Sequence, residues 1–441
     1  MDKPNILFLA NTAHHTSAVT DHINAVTSQS RIHWHIINPI VCKTLDKIDF
    51  SLFDVIGVHY SIKPYDNYYL SQKLKNKIAS FKGAKFIFLQ DEYQKVNQVQ
   101  DFLCMLGFDV LFTLVDNKLV NKAYPDPRLA TLKKITVLTG YVRESMKSII
   151  SPSINTRSID VSYRGREYAY WLGSLASEKQ TIANEFIKRT QGQNLVLDIS
   201  VKESDRVYGE AWLQLLMNSK AVLGTESGAS IWDFDGTIQQ QTNQYLRQHK
   251  KANFYLVYED LLKKYEGYIR YNTISPRVFE AAATRTPMIM FPGEYSGICK
   301  PDKHYIMLEK NFSNLDEVLS KLKNIDYLQE IADTAYNDLI QSDLYSHQVL
   351  SNLVAYEILS LLSKQQQKNV VKDVSNTLEN QINKYKTLNR LRCFYTEAQF
   401  ILSNFVRLIL DPKYTRLEKF KTLSSGMKRY IAYLLPRLKI Q

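Results

Sequence analysis

Acids, arginines and hydroxyls gather in a few short stretches of this chain, and their types suit work on a phosphorylated ligand. The segment Gln90-Asp91-Glu92-Tyr93 follows an apolar run and sets two carboxylates at the end of a buried strand. Polar groups there cost burial energy unless they serve something. Asp91 and Glu92 are therefore candidate catalytic acids, with capping of the next helix as the alternative. His14, in the turn NTAHHT, is a third catalytic candidate, and His59 a candidate acceptor contact. A lone histidine after a strand serves equally well as a satisfied structural group. Arg164 and Arg166, with Lys179, flank a turn in YRGREYAYWLGSLASEKQ. Guanidinium forks suit a diphosphate, and Gly173 lets backbone approach a ligand. Ordinary surface charge is the other reading. GTESGASIWDFDGT adds Glu226 among glycines and hydroxyls, and Asp233 and Asp235, which would organise their loop or bind an acceptor hydroxyl. Ser275 and Arg277 open a short helix, where free backbone N–H groups favour phosphate, and Glu280 lies within it. The polar loop Glu294 to Pro301 contains Tyr295, Ser296 and Gly297.

Two motif readings are weighed against their context. WDFDGTI fits the D-x-D-G-T-I pattern of haloacid-dehalogenase-type phosphatases, whose first Asp is the nucleophile and whose second is a general acid. Those enzymes place the motif after a buried apolar strand, whereas Ser227 to Ser230 is polar and glycine-bearing. The chain also contains no Asp-Asp pair to serve magnesium. No GxGxxG or GxxxxGK[ST] follows a strand-like run, so the dinucleotide fingerprint and the P-loop are both absent.

Positioning these groups takes alternating strands and helices. Strand-like apolar runs recur at Ile6–Ala10, His33–Ile40, Val55–Tyr60, Lys85–Leu89, Val110–Leu114 and Ile135–Leu138, with helical stretches such as Asn67–Ser80 and Val96–Leu106 between them. That alternation implies a parallel sheet covered on both faces, with ligands at the carboxyl ends of its strands. The polar run SPSINTRSID breaks the pattern and sets a domain junction, giving a first domain over 1–155 and a second over 156–343. Tyr168–Leu172 reads as the entry strand of the second sheet, followed by strands at Leu195–Ile199, Ala221–Leu223 and Met288–Phe291. A crossover helix occupies 344–366 and a helical basic extension 367–441. The fold class is α/β, two Rossmann-like domains facing across a cleft.

With 441 residues, 45% apolar and 23% charged, the chain has the composition of a globular protein with a sizeable core. Its four scattered cysteines include no CxxC, which argues against a disulfide framework or a zinc site and fits a reducing compartment. The start, MDKPNILFLA, lacks the apolar core of a signal peptide, and no apolar run approaches a bilayer's span. A cytoplasmic location is expected. The net charge of +12 concentrates at the end: residues 412–441 hold eight Lys or Arg against the single acid Glu418, interleaved with Leu417, Phe420, Leu434 and other apolar residues. Such a tail suits an anionic membrane surface, or packs its apolar side on the protein itself. Nucleic acid is not an expected partner, because no nucleic-acid motif accompanies the charge.

SPRVFEAAATRTPMIMF resembles the nucleotide-sugar helix of two-domain (GT-B) glycosyltransferases, an acid followed by small residues and a buried strand. Together with YRGR, DRVYGEAW, LGTESGASIWDFDG and EYSGICKPDKHYIMLEK, it resembles family-4-like or CgeB-like bacterial enzymes of surface-polysaccharide clusters, over roughly 162–319. The resemblance implies a nucleotide-diphosphate sugar held by the second domain and a glycan or lipid-linked acceptor held by the first, with no cofactor and no metal. It makes Glu280 the carboxylate for the donor ribose, Arg164, Arg166 and Arg277 the diphosphate ligands, and 294–297 a loop over the sugar. Two departures stand out: Asn272 falls where the family's first acid belongs, and NTAHHT replaces its glycine-rich loop. The alternatives are a magnesium-dependent phosphohydrolase using Asp233 and Asp235, and a non-catalytic GT-B scaffold.

Overall fold

The structure, a computed structural model, describes residues 3–13, 17–363 and 373–410. Six parallel strands, β1 (Asn5–Leu9), β2 (His33–Ile37), β3 (Val55–Val58), β4 (Ala84–Phe88), β5 (Val110–Thr113) and β6 (Lys133–Thr136), form the first sheet in the order β2-β1-β3-β4-β5-β6. β1, β3, β4 and β5 are buried almost throughout, as strands covered on both faces must be. The chain steps outward from β1 to β2 and then reverses to β3. That reversal opens a crevice at the carboxyl ends of β1 and β3.

The second half repeats the plan. Its strands are β7 (Ile159–Arg164), β8 (Leu197–Ser200), β9 (Ser219–Gly224), β10 (Ser227–Ala229), β11 (Tyr271–Thr273), β12 (Met288–Met290) and β13 (Ile306–Met307). Five of them make a parallel sheet in the order β13-β12-β9-β7-β8, while β10 and β11 pair antiparallel as a separate ribbon. Here the reversal lies between β7 and β9. The expected entry strand at 168–172 is corrected: Tyr170–Leu172 is a single 3-10 turn, and β7 takes that place. Within the run read as a polar break and its continuation, Ile159, Val161 and Tyr163 alternate with polar residues, which is enough to bury one face of a strand.

Three connections bind the halves. Val142 and Met146 already belong to the second core, so the chain crosses nearer residue 140 than the expected boundary at 155. The helix His347–Leu362 returns to the first domain, where Leu350, Val354, Ala355 and Ile358 join its core. Residues 230–270, inserted between β10 and β11, contribute Trp232 and Ile269 to that same core. Beyond the crossover, the helices Val374–Lys384 and Lys386–Leu410 also belong to the first domain. Asn389 gives its side-chain N–H to the Val41 carbonyl (2.9 Å) and accepts from the Lys43 amide (2.6 Å), and Arg392 pairs with Asp46. No helix among the described residues is long and apolar enough to cross a membrane. The basic stretch 412–441 lies outside the described residues.

Candidate functional site

A cavity of about 580 Å³ opens at the reversal point of the second sheet, beneath the carboxyl ends of β7 and β9. Its floor is Tyr163, Gly165, Val222 to Thr225 and Met288, and its far wall is Gln90 and Asp91 from the loop after β4. Four cations line it: Arg166, Lys179, Arg206 and Arg277. Among the described residues Asp91 is the sole carboxylate of the lining. Arg166 lies 4.9 Å over the Tyr168 ring, and Lys179 bonds the Tyr168 hydroxyl (3.2 Å) and Ser227 (3.3 Å). Burial lifts the Tyr168 hydroxyl's pKa, but Lys179 and Arg166 more than offset this and hold it below its ordinary value. The cleft is thus strongly electropositive. Among the described residues Arg166, Lys179 and Arg277 form no ion pair with a carboxylate.

The helix Pro276–Ala283 aims its N-terminus into this cavity. Ser275 caps it, accepting from the Arg277 amide (3.4 Å), and Pro276 fills the first position, where no N–H is needed. Val278, Phe279, Ala281, Ala282 and Ala283 are its buried residues, and Val278 and Ala281 also line the cavity. Arg277 lies 4.8 Å over the Trp212 ring and donates to the Arg164 carbonyl. Arg285 follows the helix's cap residue Thr284 at φ 47. It is held by Asp333 (2.7 Å) and the Tyr336 ring rather than by the cleft.

Several expected site residues have other partners. Arg164 leaves on the opposite face of β7 and pairs with Asp198 (2.7 Å), so it does not line the cavity. Glu226 is buried and accepts from Asn272 (2.7 Å) and from the Glu294 and Tyr295 amides (3.1 and 2.7 Å), which makes it the anchor of the 293–295 turn. Tyr295 is itself buried, donating to the Phe291 carbonyl (2.6 Å), while Ser296 accepts from the Ile274 amide (3.1 Å). With Gly297 these three share left-handed φ values, and none lines the cavity. At Gly173 the approaching groups are Ser230 and Glu266 of the insertion, and Glu266 accepts from the Ser174 amide at that helix's start.

The two acids of QDEY separate. Asp91 is exposed to the cleft at φ 56, in the left-handed region that asparagine and aspartate tolerate best. Glu92 turns inward and accepts from Thr113 (2.6 Å), the Leu114 amide (2.9 Å) and Tyr124. Burial pushes its carboxyl up, with those bonds pulling the other way. Neither acid caps the following helix.

Glu280 accepts from the indole of Trp212 (2.7 Å), which lines the large cavity, but Glu280 itself borders a smaller one. That cavity lies at the domain junction beside Asp21, His22, Tyr141 and His347. Burial raises the Glu280 carboxyl, against the Trp212 bond, Arg277 and Arg143. His59 is fully buried, bonded to His22 (3.0 Å) and Ser61 (2.9 Å), and away from the large cavity. His14 lies outside the described residues.

Asp233 is buried, and its carboxylate accepts from the amides of Gly236 (2.9 Å), Ile238 (3.4 Å) and Gln239 (2.9 Å). Asp235 accepts from Thr237 (2.9 Å). The pair therefore organises the start of the helix Thr237–Gln248, and a nucleophile at Asp233 has no open path to a substrate. Arg206 and Trp212 were not singled out by sequence; the signal available was that Arg206 follows β8 at its carboxyl end and Trp212 lies in the next helix, Glu210–Met217.

No protein-family model matches the sequence, and no curated protein matches it. Among solved structures, an alpha-glucosyltransferase in complex with UDP-glucose and DNA containing an abasic site is similar at 10% identity and TM-score 0.48, covering 81% of this chain and 99% of that one. A glycosyltransferase from Rickettsia africae ESF-5 gives 10% and 0.49, covering 83% and 100%. Anabaena Alr3699/HepE in complex with UDP-glucose gives 12% and 0.45, covering 81% and 100%. By the order of its strands, their connections and the position of its cleft, the chain has the two-domain architecture of the GT-B fold.

Proposed function

We propose that this protein is a glycosyltransferase. It takes a sugar from a nucleotide-diphosphate donor and passes it to a hydroxyl of a glycan or lipid-linked acceptor in cell-surface polysaccharide synthesis. The observation that carries the reading is the cleft: four cations and a capped helix N-terminus converge at the reversal point of a parallel sheet, with one exposed carboxylate opposite. As the bond from the anomeric carbon to the diphosphate breaks, negative charge grows on the leaving phosphate. Lys179, Arg166, Arg206, Arg277 and the amides behind Ser275 neutralise it, doing the work a metal ion does elsewhere. Asp91 accepts the hydrogen bond of the incoming acceptor hydroxyl. Glu280 acts from behind, holding Trp212 toward the nucleotide.

A thermal-shift screen of UDP-, GDP-, ADP-, TDP- and CMP-linked sugars, with and without EDTA, tests the donor site. Stabilisation by one nucleotide diphosphate that survives EDTA and is lost in Lys179→Ala is the expected result; absence of any stabilisation sinks the reading. Donor binding with no transfer to any acceptor would instead favour a scaffold. The basic segment 412–441 would hold the enzyme on an anionic membrane. Co-sedimentation with phosphatidylglycerol vesicles, lost on removing 412–441 and absent with neutral phosphatidylcholine, is the corresponding test.

A further inference from the structure

Asp91 is the cleft's only carboxylate among the described residues, yet it sits on a loop with a left-handed backbone, and something must hold it there. Its neighbour Tyr93 donates its hydroxyl to the Asp91 carboxylate at 3.1 Å. Tyr93 in turn is gripped by the other domain. Its ring meets Trp171 (centroids 6.1 Å apart) and lies edge-on to Tyr271 (5.6 Å), both second-domain residues. Its carbonyl accepts from the Asp233 amide (2.8 Å), and one turn later the Asn97 amide donates to the Phe234 carbonyl (2.8 Å). Asp233 is fixed in turn, because its carboxylate accepts from three amides at the start of the helix Thr237–Gln248.

We infer that Tyr93 is a positioning residue for Asp91, and that the 230–270 insertion, through Asp233, makes the acceptor-side carboxylate ride with the donor-binding domain. The D-x-D-G segment that looks like a phosphatase motif is, on this account, the anchor of the Asp91 loop. The inference rests on the proposed transferase reading, in which Asp91 contacts the acceptor. It adds a residue whose hydroxyl touches neither donor nor acceptor and still sets the rate.

Tyr93→Phe removes the hydroxyl and leaves the ring between Trp171 and Tyr271, so folding is preserved. Losing a hydrogen bond to a charged group predicts a fall in kcat of about tenfold to hundredfold, with donor KM within about twofold because the cationic wall is untouched. The double variant Asp91→Asn/Tyr93→Phe should be no slower than Asp91→Asn alone, since the two act as one unit. Amide exchange of residues 90–95 should rise in Asp233→Ala, a readout independent of any acceptor. If Tyr93→Phe keeps the wild-type kcat while Asp91→Asn loses it, the positioning role is overturned and the transferase reading stands. If the two losses multiply, Tyr93 acts independently of Asp91 and the inference fails. If Asp91→Asn transfers at the wild-type rate, the role of Asp91 falls and this inference with it.

Discussion

Among the described residues, Lys179 and Arg277 face the cleft without a carboxylate partner, so their charge is available to a ligand. Replacing either by alanine should weaken donor binding about tenfold to hundredfold, the worth of a charge-assisted hydrogen bond. Arg164→Ala should behave oppositely. Its partner is Asp198, so it should lose about 1–2 kcal/mol of stability with donor affinity unchanged in titration of the folded protein. Which arginine faces the ligand was not legible in YRGR, because side chains alternate along a strand and the end of β7 decides the phase. Tyr163 and Gly165 point to the cleft, and Arg164 points away. The same limit split Asp91 from Glu92. Buried acids also leave a mark on pH dependence. Glu92 and Glu280 have carboxyls raised above 4.5 by burial, so the folded chain keeps their protons where the unfolded chain has released them. On their account stability is fullest below that value and declines as pH climbs through the raised range. Glu280→Gln, which keeps an acceptor for Trp212, should flatten the decline in melting temperature from about pH 4.5 upward; an unchanged slope would count against the assignment.

Among the elements, the strands of the first sheet were readable, whereas β7 and the insertion were not. Short, mostly apolar runs such as AKFIF and VLFT suit covered strands, and both appear within a residue or two of their expected ends. The segment 230–270 offers no such period. Its helix Thr237–Gln248 buries only Ile238 and Thr242, and its role comes from contacts with the other domain. Gly173 shows how tightly that insertion is fitted. It adopts φ 85, ψ −170, a conformation nearly restricted to glycine, and a Cβ there would come within 2.3 Å of the Ser230 hydroxyl and 2.7 Å of the Glu266 carboxylate. Gly173→Ala should therefore cost at least about 1–3 kcal/mol, read as a lower denaturant midpoint with an unchanged slope. A variant as stable as wild type would mean that the insertion does not pack as described.

At the scale of the molecule, two parallel sheets were legible from strand and helix alternation; their strand orders and the tie between them were not, because long-range pairings leave no local pattern. The core of the first domain holds Ile6 to Ala10 together with Leu350, Val354, Ala355, Ile358, Val374 and Leu378, and also Trp232 and Ile269. The second domain, by contrast, is built from one unbroken stretch, from Val142 to Tyr345. This arrangement sets the order in which a ribosome can deliver a finished fold. Although domains generally fold from the N-terminal end during synthesis, here the later domain has all its parts first. The earlier one must wait, with an apolar face uncovered, until the crossover helix has been made. Expressed alone, residues 142–345 should give a cooperative thermal transition, whereas 1–141 should aggregate unless 346–410 is supplied in trans. The waiting period also assigns the nascent first sheet to whatever chaperone meets it, so slowing synthesis between residues 142 and 350 should lower the yield of folded protein rather than raise it.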